Sequence, residues 1–400
     1  MSNHIGHWQV GGEIFYHKPT ALITAGKLKK SVSYHYYDQV FDSFDRSLLG
    51  KKTLDELYVE RAKQLREKYD YLILYYSGGS DSRNILQTFL KNNIKLDCVF
   101  VRSWEQASNS KIYPITHNTN SVNFMCEWDL TIKPDLEWLG KNHPEIEIET
   151  YDWTKDICSV GIKDSLFEQQ QHYIHLSSLF RIPTHSTMEK TMREKGRSVA
   201  SIFGIDHPLV GCDHHGNVYF VFNDVSPTCF WASLENQEGQ EYFYWTPDMP
   251  SIVFEQAYKI IDFLNKYPKH ITLFRESSTK LDLLSKKIQT AADSKSRILL
   301  RSIMNSQIFD QKNRLTKKII YSSYDAAIFQ AEKPLRLEQG FMGNSKDFYL
   351  ETHTELSKVK MQWLYHYQTW IKDIPTIFQD PPGFIKPMST KKFFVGKISL

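Results

Sequence analysis

Tyr71-Leu72-Ile73-Leu74-Tyr75-Tyr76-Ser77-Gly78-Gly79-Ser80-Asp81-Ser82 is the stretch that decides the architecture. Its first six residues are apolar on both faces, the pattern of a strand covered by helices on each side and therefore of a parallel α/β sheet. The next six change character at once, to two glycines among short polar residues. Ile85, Leu86, Phe89 and Leu90 then recur at helical spacing. The reading is strand, glycine loop, helix.

Outward from this unit, residues 96–101, 146–150 and 198–204 read as further strands, with helical stretches around 120–142 and 184–195. The alternation βαβαβαβ predicts a doubly wound parallel sheet. Upstream, 54–69 is a helix with Leu54, Leu57, Tyr58, Ala62, Leu65 and Tyr69 on one face, and Thr53 with Glu56 forms a capping box at its start. Residues 8–25 alternate around Gly11-Gly12 and read as a hairpin. A second hairpin is expected from 209–212 and 218–222 around His215-Gly216-Asn217. After about residue 250 the pattern turns helical, clearest in 252–264. The expected organisation is an N-terminal β-hairpin and helix (1–69), an α/β domain (70–248) and a mostly α C-terminal region (249–400).

Composition narrows the classes of function. The +3 net charge, from 49 basic and 46 acidic residues, gives no general drive toward nucleic acid or an anionic membrane, although a local basic patch stays open. No run approaches the roughly 20 apolar residues that span a bilayer. The first residues show no basic-then-apolar leader, so a cytoplasmic protein without membrane contact is expected. The 5 cysteines are scattered without any CxxC pair, which predicts reduced thiols rather than a disulfide framework or a thiolate zinc site.

The glycine loop carries the chemistry. A strand that runs through two glycines into a helix brings backbone N–H groups and the positive helix end to one point, which suits a phosphate. Glycines permit close approach, the Ser77, Ser80 and Ser82 hydroxyls add hydrogen bonds, and Asp81 can hold a magnesium ion. A Walker-type loop fails because no Gly-Lys pair has the glycine five residues upstream. A nucleophile elbow fails because position 82 is Ser, and GxGxxG is absent. A plain serine-rich helix cap stays open, since Ser and Asp are good N-cap residues.

With those alternatives set aside, SGGSDS after an apolar strand resembles the PP-loop ATP pyrophosphatases of the adenylating branch, which includes the synthetase domain of asparagine synthetase and the GMP and NAD synthetases. That resemblance implies a HUP-type doubly wound sheet, with ATP on the loop and the adenine near the end of the second strand. It also implies transfer of AMP to a carbonyl or carboxylate oxygen, release of pyrophosphate, and displacement of AMP by a nitrogen nucleophile. Ser77, Gly78, Gly79, Ser80, Asp81 and Ser82 fill the six motif positions, and Arg102 and Ser103 fall where the family binds the nucleotide. ATP and Mg2+ are the implied cofactors. The wider layout is similar to asparagine-synthetase-like proteins of tailed phages, for which the host cytoplasm would be the location.

Relatives that draw ammonia from glutamine start with a glutaminase whose nucleophile is Cys at position 2. Here position 2 is Ser and about 70 residues precede the loop, so the expected nitrogen source is ammonia, a substrate amine or a separate ammonia donor. Missing cysteine pairs argue against the sulfur-transferring relatives. The acceptor is expected to be a small molecule or a nucleobase, with nucleic acid, as tRNA or modified DNA, or a non-catalytic nucleotide-binding role as the alternatives.

Further candidates lie outside the loop. Asp206 in Phe203-Gly204-Ile205-Asp206-His207-Pro208 follows the fourth strand, where α/β sheets bind ligands, and is read with Asp81 as a catalytic and metal-binding carboxylate. Its alternative is a turn residue. Arg181 and His185 could reach the phosphates. Asp213-His214-His215 invites a metal or DHH-phosphoesterase reading, but adjacent residues on a hairpin diverge, which favours a solvated turn. Phe230-Trp231 and Tyr242-Phe243-Tyr244-Trp245 could stack bases, though such clusters are more often core.

Overall fold

The computed structural model describes residues 6–103, 131–152, 186–204, 208–224, 238–272, 274–275, 373–379 and 388–398. Near the N-terminus, β1 (His7–Val10) pairs antiparallel with β2 (Glu13–Phe15) and with β3 (Val32–His35). Between β2 and β3 lies α1 (Lys18–Leu28), so residues from 18 onward are helical and not part of a hairpin arm. Pro19 in the first turn presets a helical φ, and Ala21, Leu22 and Ala25 form a buried stripe that β-like alternation cannot provide. The short α2 (Asp38–Asp42) follows, then α3 (Leu54–Lys68), which begins with the reciprocal Thr53–Glu56 capping box.

The centre is a five-stranded, all-parallel sheet flanked by helices. Its strands are β4 (Tyr71–Tyr75), β5 (Cys98–Ser103), β6 (Glu147–Asp152), β7 (Val199–Phe203) and, beyond a pair of antiparallel strands, β10 (Gln240–Tyr242). The spatial order is β10-β7-β4-β5-β6. The chain therefore moves from β4 out to β6 and returns to β7 on the other side of β4. Such a reversal opens a crevice at the carboxyl ends of β4 and β7.

Both faces of β4 are covered, as its continuous apolar run requires. Leu72, Leu74 and Tyr76 join the large core with α3, α4 (Ser80–Lys91), α5 (Lys133–Asn142) and α7 (Ser251–Lys266). Tyr71 and Ile73 turn to the opposite face with Cys98, Phe100 and Val199, against Met188 and Met192 of α6 (Thr187–Glu194). Ile85, Leu86 and Phe89 bury one face of α4, at about 1.5–3 kcal/mol for each side chain, and so fix the helix that carries the loop.

The expected second hairpin appears as β8 (Leu209–Cys212) and β9 (Asn217–Val221), and β9 also pairs with β11 (Phe393–Lys397). Near the C-terminus the described chain thus adds a strand, while most of 249–400 lies outside the described residues. One buried apolar cluster extends from Trp8 to Ile398. No helix among the described residues is long and apolar enough to cross a membrane.

Candidate functional site

The loop leaves β4 at its carboxyl end, beside β7, where the strand order reverses. Gly78 has φ +67°, in the left-handed region, and a Cβ there would lie 2.8 Å from both Thr131 Oγ1 and Ile132 Cγ1. Both backbone and surroundings demand glycine. Gly79 is the N-cap of α4 and has no side-chain cap, so the helix opens with glycine in place of a polar capping side chain.

Serines fold the loop on itself. The Ser82 hydroxyl accepts from the Ser77 backbone N–H at 3.2 Å and donates to the Gly79 carbonyl at 3.3 Å, while Ser77 Oγ lies 3.3 Å from Ser82 Oγ. Ser77 is exposed, Asp81 is half-buried in the first turn of α4, and Ser82 is buried. Ser82 therefore shapes the loop, whereas Ser77 and Asp81 reach solvent.

Two supports come from other parts of the chain. The phenol of Tyr244 donates to the Asp81 carbonyl at 3.0 Å and accepts from Asn84 Nδ2 at 2.9 Å. Burial, then Tyr58 and Asp81, push the Tyr244 phenol well above its ordinary pKa, which keeps it a neutral donor. Gly204, just after β7, approaches so closely that a Cβ would stand 3.0 Å from the Ser82 nitrogen.

Arg102 and Ser103 end β5, adjacent to β4. Arg102 is half-buried, and strand alternation turns it to the α6 face, the face opposite α4, beside Tyr75. Burial pushes its guanidinium down from the ordinary range, and the Tyr75 phenol opposes this. Tyr75 accepts from the Ser186 N–H and lies 3.5 Å from Glu189, which also takes the Ser201 hydroxyl at 2.7 Å. The six motif residues thus converge at the strand crossover, and Arg102 and Ser103 stand one strand away.

Other candidates resolve differently. Asp206, Arg181, His185, His207, Phe230 and Trp231 lie outside the described residues. Tyr242, Phe243, Tyr244 and Trp245 are core and not a stacking platform: each is at most 2% exposed, in β10 and the residues after it. Asp213 accepts the backbone N–H groups of His215 and Asn217, a turn that holds itself together, and the described residues contain no metal-ligating cluster. Thr131, Tyr244 and Asn84 were not foreseen at this site, because contacts across the fold leave no spacing signal in the sequence.

The chain matches no family model, no curated protein and no solved structure.

Proposed function

We propose that the protein is an ATP-dependent adenylating ligase of the PP-loop pyrophosphatase type, related to the asparagine-synthetase-like enzymes. The observation that carries this is the position of SGGSDS: at the carboxyl end of the central strand, at the crossover of a parallel sheet, with Gly78 at positive φ and a glycine opening α4. A polyphosphate suits that point because α4 opens on Gly79 with no capping side chain over its N-terminus. Bound ATP supplies the adenylyl group and the pyrophosphate that leaves.

In this reading the first-turn amides of α4 and the Ser77 hydroxyl would hold the phosphates, and Asp81 and Asp206 are the carboxylates that would supply magnesium ligands. Fixed donors of this kind stabilise the charge that develops on departing pyrophosphate without reorganising during the reaction. An acceptor carboxylate or carbonyl oxygen would attack the α-phosphorus of ATP and expel pyrophosphate, and a nitrogen nucleophile would then displace AMP from the adenylated carbon to complete an amide-like bond. With the Tyr242 to Trp245 aromatics buried, a small-molecule acceptor is favoured over a stacked nucleic-acid strand.

The test is product analysis with ATP, magnesium and a panel of small carboxylic acids plus ammonia. Pyrophosphate and AMP should appear in equal amounts, and ADP formation would contradict the reading. Asp81→Asn and Ser77→Ala should each abolish turnover; unchanged activity in both removes the loop from the mechanism.

A further inference from the structure

The two residues that bracket the motif, Tyr76 before it and Arg83 after it, meet the same carboxylate oxygen. Tyr76 donates its phenol to Asp135 Oδ2 at 2.5 Å, and Arg83 donates to that atom through Nη2 at 2.5 Å and Nε at 3.1 Å. Arg83 Nε also lies 3.4 Å from the Tyr76 oxygen, which closes a triangle. All three side chains are buried, at 3% exposure for Tyr76 and Asp135 and 5% for Arg83. Asp135 stands in the first turn of α5, one turn beyond Thr131 and Ile132, the pair that packs against Gly78.

We propose that Asp135 is a positioning residue for the 77–82 loop: it clasps both ends of the loop at once and seats Thr131 and Ile132 over Gly78. The inference rests on reading that loop as the nucleotide site. A single carboxylate binding both flanks fixes the distance between the end of β4 and the start of α4, and that distance sets how the loop amides converge. Stability alone does not account for the arrangement. A buried ion pair is often no more stabilising than apolar side chains of the same size, so an Arg–Asp pair confined to the two ends of a ligand loop points to geometry.

The same argument supplies the test. Asp135→Ala breaks a buried ion pair and so destabilises the chain whatever the loop does. The informative variants are Asp135→Asn, which keeps the shape and one acceptor, and the double variant Arg83→Met/Asp135→Leu, which removes both charges together. Three quantities are measured on the full chain: thermal midpoint, Mg-ATP affinity by calorimetry, and amide hydrogen exchange over 77–82.

The double variant should melt within a few degrees of wild type, yet bind Mg-ATP about ten- to a hundredfold more weakly, the usual cost of losing an outer support of a bound group. Its loop amides should exchange at least about tenfold faster, while the β4 amides stay protected. Asp135→Asn should shift both readouts in the same direction by less. Wild-type affinity and wild-type loop exchange in a folded double variant would overturn the proposal and leave the pair purely structural. Should wild type itself not bind Mg-ATP, the nucleotide reading falls while the exchange data still decide the clasp: faster loop exchange upholds the positioning role, unchanged exchange overturns it.

Discussion

The Tyr244 hydroxyl, from the segment just after the last strand of the parallel sheet, donates to the carbonyl oxygen of Asp81 at 3.0 Å. The bond joins residues 163 apart in sequence and anchors the first turn of α4 from below. Tyr244→Phe removes this donor and also the acceptor that Asn84 Nδ2 uses. Asn84 is fully buried and its Oδ1 already has no hydrogen-bond partner, so the variant leaves the whole amide unsatisfied. A loss of about 1–3 kcal/mol in urea unfolding is expected. A change below about 0.5 kcal/mol would show that the bond carries little in solution.

Glycine at 78 and at 204 is required for different reasons, and alanine separates them. At Gly78 the φ of +67° and the contact with Thr131 both oppose a side chain. Gly78→Ala should cost about 1–2 kcal/mol for the left-handed backbone, with the steric contact adding to it, and should weaken Mg-ATP binding. At Gly204 no positive φ is involved; the added methyl would press on the Ser82 amide and Ile85 Cδ1. Gly204→Ala should therefore cost about 1–3 kcal/mol as overpacking. A crystal structure of that variant should show α4 displaced by a few tenths of an ångström. If Gly204→Ala is neutral in unfolding and leaves α4 in place, the close approach is relaxed in solution.

Elements whose pattern is local were legible in the sequence. The two-sided apolar run of β4, the capping box at Thr53 and Glu56, and the face of α7 each follow from spacing alone, and the structure places them within a residue or two. β10 is only three residues long, too short to show a period, so the sequence left the aromatics at its end and just after it open between core and a stacking surface, with core the commoner reading. Their burial depends on Tyr58 of α3, which packs against Tyr244, and on Tyr36, just after β3, which packs against Trp245. Of the site, the motif was visible because its six residues are contiguous. Its supports were not, because Asp135, Tyr244 and Gly204 reach it from separate elements.

Two buried carboxylates should make stability fall in acid. Asp97 accepts from the Leu72 N–H at 2.8 Å and pairs with Arg66 at 2.5 Å and Lys95 at 2.8 Å. Glu241 takes Arg61 at 2.7 Å, Lys68 at 2.8 Å and the Tyr69 phenol at 2.7 Å. Burial opposes the charge in both, but these donors outweigh it and hold each pKa below its ordinary value. A folded-state pKa below the unfolded one gives stability that is complete above the unfolded value, near 4, and is lost as pH falls through the folded value. These two carboxylates should leave unfolding free energy unaffected between about pH 7 and 5 and make it decline below about 4. Asp97→Asn should be less stable at pH 7 and show a shallower decline, and an unchanged slope would remove Asp97 from the acid response.

Lys18 and Asp224 form an ion pair at 2.6 Å with both side chains fully buried. Asp224 Oδ2 also accepts from Trp8 Nε1 at 3.0 Å, and Oδ1 accepts from the Met388 N–H at 2.9 Å. The carboxylate thereby joins β1, α1, the residues after β9 and the chain leading into β11. Burial pushes the Lys18 ammonium down in pKa, and Asp224 opposes this. Asp224→Asn and Lys18→Met should each cost about 3–5 kcal/mol, because each breaks a fully buried ion pair by removing one partner. The double variant Lys18→Met/Asp224→Asn keeps an acceptor for Trp8 and removes both charges, so it should be more stable than either single variant. Strictly additive losses in a urea double-mutant cycle would mean that the two charges are not coupled and that the joint is held by the Trp8 and Met388 hydrogen bonds instead.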